Sequence, residues 1–141
     1  MSTGIIVNDE VVTQFNLFKL KKEPCNYRYY VYKISDNGQE IVIDTFGERD
    51  ATYDDFCSKL PPKECRYGLF DLDYDTKDGR SSSKLVFIAW TPDEAAVKNK
   101  MMYAGSKESI KGALVGVGVH LQACDASELE LATILSSVQR I

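Results

Sequence analysis

Asp71, Asp73 and Asp75 occupy alternate positions in "FDLDYDT". On a strand, alternation sends every second side chain to the same side, so three carboxylates in this register could together hold a hard cation. The pattern departs from a calcium loop at the position after the third acid, where a glycine is needed and Thr76 stands. The same alternation gives Phe70, Leu72 and Tyr74 the inward face, so the acids read as the polar side of a half-buried strand. His120 is the only histidine in 141 residues, and any Ser-His-Asp or Cys-His mechanism would have to use it. It lies in an apolar run without a nucleophile motif nearby, and the glycines of "GALVGVGVH" lack the lysine and the strand-then-helix order that cradle a phosphate. Cys25, Cys57, Cys65 and Cys124 form no CxxC pair and read as free thiols rather than zinc ligands. These residues imply no catalytic centre, no metal site and no cofactor.

A different chemistry is written in "TPDEAAVKNKMMYAGSK". At about 100° per residue, Lys98 stands one helical turn from Met101, and Lys100 lies on the other flank of the same methionine. A flexible thioether between two ammonium groups suits an apolar groove with carboxylates at its rim. The residues alone leave a second reading open, in which Val97 and Met101 are core and the lysines are merely solvated. The N-terminal arm poses a similar choice. Disorder is the default for the first residues of a domain, yet Gly4, Ile5, Ile6 and Val7 are apolar enough to dock against the domain or a partner. Ser2 and Thr3 beside them are hydroxyls that phosphorylation would turn into about two negative charges, enough to spoil an interface.

The elements that must carry these side chains follow from periodicity and caps. Asn8 is an N-cap for a helix over 9–20, with residues 2–7 a free arm before it. "YRYYVYKI" and "EIVIDTF" are strands joined through Asp36, Asn37 and Gly38, an antiparallel hairpin. Thr52 caps a short helix ending near Leu60 before Pro61 and Pro62. Strands follow over 66–75 and 84–90. Thr91, Pro92, Asp93 and Glu94 then supply N-cap, first-turn proline and capping-box acid for the next helix, which Gly105 and Ser106 end or kink. "VGVHLQA" is a last strand, and Ser127 to Glu130 box the start of a terminal helix with Leu131, Ile134, Leu135 and Val138 on its apolar side. Helices before and after a block of strands predict an α/β domain, a mixed five- to six-stranded sheet between helices.

Composition sets the outer bounds. The chain reads as one domain, 1–141, with 1–7 a flexible arm. Seventeen Lys and Arg against 21 Asp and Glu, a net charge of -4, argue against generic nucleic-acid binding. No apolar run approaches the roughly 20 residues that span a bilayer, and the N-terminus lacks the pattern of a secretory signal, so a cytosolic protein is expected.

The motifs converge on a family. "GIIVNDEVV", "ECRYGLFDLDYDTKD", "KLVFIAWTPDEAAVKNKMMYAGSKESIKGAL" and "HLQA" together resemble actin-depolymerising factor/cofilin proteins over nearly the whole chain. The resemblance implies the cofilin-homology fold, a monomeric cytoplasmic protein of the cytoskeleton, and binding to actin monomers and filaments rather than catalysis. It places the monomer-binding face on Thr3, Gly4 and Ile5 with Lys98, Lys100 and Met101, the helix entering an apolar cleft of actin. It implies preference for ADP-actin, a differential-affinity effect. The filament contact falls on Lys77, Arg80 and Lys84 of the strand loop and on Arg140. Ser136 and Ser137 stand where strong filament binders carry an acid and a base, so weak severing is expected. The regulatory phosphorylation position falls on Thr3, with Ser2 adjacent. Val119 takes the place of the family's pH-sensing histidine, leaving His120 one residue away and on the other face of the strand. Lys77, Arg80, Lys98 and Lys100 are candidates for phosphoinositide headgroups.

Overall fold

The computed structural model describes residues 4–139. Its six-stranded sheet runs in the order β1-β3-β2-β4-β5-β6. The strands are β1 (Ile6–Val7), β2 (Tyr29–Ile34), β3 (Glu40–Gly47), β4 (Arg66–Asp75), β5 (Ser81–Trp90) and β6 (Val119–Ala123). The helices are α1 (Asp9–Lys19), α2 (Tyr53–Ser58), α3 (Val97–Ala113) and α4 (Leu131–Gln139). The two edge pairings, β1 with β3 and β5 with β6, are parallel, and the inner ones are antiparallel, so the sheet is mixed.

Burial on both faces explains the dense aromatic strands. Along β2, Tyr30 and Tyr32 join one core with Phe15 and Phe18 of α1 and Tyr103 and Ile110 of α3, while Tyr29 and Val31 join a second with Phe56 of α2 and Ile134 and Val138 of α4. Strand β4 divides in the same way, Tyr67 and Leu69 to the first core, Phe70 and Leu72 to the second. Gly68 faces Phe56 so closely that a Cβ there would stand 2.5 Å from the ring.

Several boundaries depart from the local signals. Residues 4–7 are not a free arm: the Ile6 N–H donates to the Gln39 carbonyl at 3.2 Å, the Asn8 N–H to Ile41 at 3.0 Å, and Ile5 is buried in the first core. The open edge of β3 offers backbone partners that a solvated arm would have to find in water. Strand β5 starts at Ser81 rather than 84, because Ser81, Ser82 and Ser83 pair with Asp75, Tyr74 and Asp73.

The box at Thr91 does not open α3. Thr91 and Asp93 donate their N–H groups to the carbonyls of Ala123 and Cys124, both at 3.0 Å, which prolongs the β5–β6 ladder past Pro92. Long-range pairing thus takes the groups that a helix start would have used. The chain turns at Asp93–Ala95, and Ala96 becomes the N-cap without a side-chain bond. Gly105 and Ser106 do not end α3, which runs through them to Ala113, the Ser106 hydroxyl donating to the Met102 carbonyl at 2.8 Å. At the C-terminal box the cap lies earlier than Ser127. The Asp125 carboxylate accepts from the Glu128 N–H at 3.0 Å and holds a 3-10 turn, Ala126–Leu129, after which α4 begins at Leu131.

Candidate functional site

Three inward-facing residues fix α3 on the sheet. The Asn99 side-chain oxygen accepts from the Cys65 N–H at 2.9 Å, and the Tyr103 hydroxyl accepts from the Ile34 N–H at 2.9 Å. The Tyr67 hydroxyl in turn donates to the Tyr103 carbonyl. Burial pushes the Tyr103 hydroxyl above the ordinary phenol range, with the bond from the Ile34 N–H opposing.

With that face fixed, α3 turns a stripe outward. Val97 is 69% exposed and Met101 67%, one turn apart, and Ala104 continues the row. Core residues of a helix are not left this open, so the reading of Val97 and Met101 as core fails. Met102 behaves differently: half-buried, it packs against the first core and stands near Gly38 of the hairpin turn. The lysines differ too. Lys98 is exposed, whereas Lys100 is half-buried and donates to the Asp93 carbonyl at 3.3 Å, near enough to Cys65 to pull its thiol down against the burial that pushes it up to about 11.

Strand β1 lies against α3 and extends the apolar face. Here Ile6, 64% exposed, presents its side chain, while Ile5 at 6% points into the core. Gly4 is exposed with φ +78, a left-handed conformation that suits glycine. The sequence named Ile6 only as one of four apolar arm residues able to dock, and offered Val97 as core rather than as part of this face. The signal that places Ile6 is the alternation of an extended chain: once Ile5 is inside, Ile6 must be outside. Thr3 and Ser2 lie outside the described residues.

The second group of cations sits apart. Strand β5 spans ten residues between its start at the β4–β5 turn and its end at Trp90, so the turn and the start of α3 are separated by about 30 Å. The turn is closed by the Thr76 N–H donating to the Arg80 carbonyl at 2.8 Å, with Gly79 in a left-handed conformation. Lys77 and Arg80 are exposed on it, Arg80 bridged to Asp78 at 3.2 Å, and Lys84 is half-buried further along β5. Arg140 lies outside the described residues. Ser136 is exposed on α4, and the Ser137 hydroxyl donates to the Thr133 carbonyl at 3.2 Å; the segment 131–139 carries no charged side chain.

The residues that suggested metal or catalytic chemistry are placed otherwise. Asp71 is buried, paired with Arg49 at 2.8 Å and with Lys21 at 3.9 Å, and Asp73 is paired with Arg28 at 2.9 Å. Arg49 and Arg28 are distant in sequence and gave no local hint of this network. His120 is exposed on the α3 side, its ring 5.9 Å from that of Phe87, while Val119 is buried in the second core. Partial burial, then the Lys111 ammonium, hold the imidazole below its ordinary pKa of 6.5, with Glu108 opposing. Cys25 and Cys65 are buried free thiols, and Cys57 and Cys124 are half-buried ones.

A sheet covered on both faces, carrying one anchored helix with an exposed apolar stripe between cations, defines a domain built to hold another protein. The chain belongs to the cofilin/ADF family: the family model described as cofilin/tropomyosin-type actin-binding protein matches residues 4–139. It is 43% identical over 138 residues to actophorin of Entamoeba histolytica, covering 98% of this chain and 97% of that one. It is likewise 43% identical over 133 residues to actin-depolymerizing factor 8 of Arabidopsis thaliana, covering 94% and 93%. The crystal structure of Streptomyces griseoflavus cofilin superposes with a TM-score of 0.87 at 34% identity, over 97% of this chain and 98% of that one.

Proposed function

We propose that this chain binds actin through the outer stripe of α3. The observation that carries the proposal is the exposure of Val97 and Met101 on a helix whose opposite side is fixed to the sheet. Such a stripe enters an apolar cleft as a preformed helix, with little ordering cost at the moment of binding. Lys98 and Lys100 meet carboxylates at the cleft's rim, and Gly4 with Ile6 extends the contact along β1. Ile5 serves the same face indirectly, by anchoring the strand that presents its neighbour.

In this reading the protein is a cytoplasmic monomer that binds actin monomers and filaments, prefers the ADP-bound form and promotes filament depolymerisation. Lys77, Arg80 and Lys84, with Arg140, reach the neighbouring subunit of a filament. Severing is weak, because Ser136 and Ser137 bring no charge to that contact. Phosphorylation at Thr3 or Ser2 would place negative charge beside the binding strand and weaken it. Phosphoinositide headgroups would compete with actin for Lys98 and Lys100. The uncharged α4 favours one second reading, a monomer-sequestering protein with negligible filament binding.

High-speed cosedimentation with actin filaments separates the two. Protein in the pellet together with actin released to the supernatant supports the filament-binding depolymeriser. Released actin without pelleted protein selects the sequestering protein, and neither change removes the actin reading.

A further inference from the structure

Beyond α3, the ends of β5 and β6 open onto a groove of about 580 Å³ walled by α2, the turn at Asp93–Ala95, the 3-10 turn and the start of α4. Its floor is apolar. Trp90 and Leu129 lie buried beneath it as members of the second core, and Leu131 stands 42% exposed at its side. The Trp90 ring is held in place by its indole N–H, which donates to the Pro61 carbonyl at 2.6 Å.

Among the described residues, the charged side chains that line the groove are all acidic, and the Lys100 ammonium, 3.3 Å from the Asp93 carbonyl, is a cation at its edge. Asp54, Asp93, Glu94 and Glu130 line the groove and are exposed, and among the described residues no cation is paired with any of them. A fifth acid, Asp125, is already engaged by the Glu128 N–H and the Ser127 hydroxyl. Among the described residues, no lysine or arginine side chain lines the groove. Like charges gathered over an apolar hollow repel one another and focus a negative potential into it. That field rejects polyanions such as nucleic acid or anionic lipid. It attracts a ligand that brings positive charge and an apolar group together.

We propose that this groove binds a short basic segment of a partner protein, one apolar side chain on the floor of Trp90 and Leu129 and flanking Arg or Lys side chains on the carboxylate rim. Most of the wall belongs to the sheet face opposite α3, and the Asp93–Ala95 turn joins it to the start of that helix. The assignment does not rest on actin binding at the α3 stripe.

The test uses the full chain and a capped probe peptide, Lys-Arg-Leu-Trp-Arg-Lys, with a control in which the basic residues are Glu. Amide shifts by NMR should be confined to α2, the Asp93–Ala95 turn and residues 124–132, with Kd tighter than about 1 mM. Combining Asp93→Asn, Glu94→Gln and Glu130→Gln should weaken binding roughly tenfold or more, three partly solvated pairs being lost. Leu131→Ser should weaken it separately through the floor. All four positions are exposed, so the variants should fold, as circular dichroism would verify. Shifts scattered over the acidic surface, equal binding of the control, or unchanged affinity in the triple variant would overturn the proposal. Concentration-dependent self-association abolished by the triple variant would also overturn it, by giving the groove to a second copy of this chain.

Discussion

Met101 and Ile5 show how one side chain's exposure separates binding from stability. Met101 is 67% exposed, so Met101→Ala should leave unfolding free energy within about 0.5 kcal/mol of the parent. Its affinity for monomeric actin should fall roughly tenfold, the loss expected of a central apolar anchor. Ile5→Ala should do the reverse at first, lowering stability by about 2 kcal/mol through a lost core contact. Urea melts and actin-binding titrations on the same two variants check the contrast, and equal stability loss in both would place Met101 in the core after all. Gly68 offers a sharper case. A Cβ there would stand 2.5 Å from the fully buried ring of Phe56. Gly68→Ala should therefore cost about 1–3 kcal/mol by overpacking, visible as a lower denaturation midpoint with an unchanged m-value.

At the scale of elements, α3 carries the binding stripe yet begins without a side-chain cap. Ala96 already has cap-compatible dihedrals, φ -60 and ψ 144, and it is exposed. A hydroxyl at this position would satisfy an orphan N–H of the first turn. Ala96→Ser should therefore stabilise the chain by about 1 kcal/mol and raise Tm by a few degrees. Affinity for actin should be unchanged, because the stripe itself is untouched. A fall in Tm would mean that the turn at Asp93–Ala95 leaves no room for the cap.

For the whole molecule, pH acts through His120. Its imidazole is held below 6.5 by partial burial and by Lys111, with Glu108 opposing, so the native state binds fewer protons than the unfolded chain in that window. Stability from this group is therefore full above about pH 6.5 and declines as pH falls below it. Comparing the parent with His120→Gln in urea melts at about pH 7.5 and about pH 5 should show a smaller loss on acidification in the variant. An equal loss in both would assign the acid sensitivity to other groups.

Much of this protein was legible in its residues, for reasons of distance along the chain. Asn8 and Thr52 accept hydrogen bonds from Glu10 and Asp55, within three residues of themselves, so caps and the short helices they start are local facts. The alternation of "YYVYKI" and "RYGLFDLDYD" likewise gives strands directly, because the pleat has a period of two. The spacing of Lys98, Lys100 and Met101 by itself left a docking stripe and a core stripe both open, while the dense motifs around them pointed to the family. What the sequence could not decide were competitions between a local bond and a distant one. Thr91 forgoes its capping role because Ala123 offers a sheet bond. Ile6 and Val7 leave the arm because the β3 edge lies beside them. The outward face of Ile6 and Val97, the pairing of Asp71 with Arg49, and the acidic groove beside Trp90 all join residues far apart in the chain. Only the packed sheet brings those groups within reach, because their interaction energies fall off over a few ångströms of space, whatever their separation in sequence.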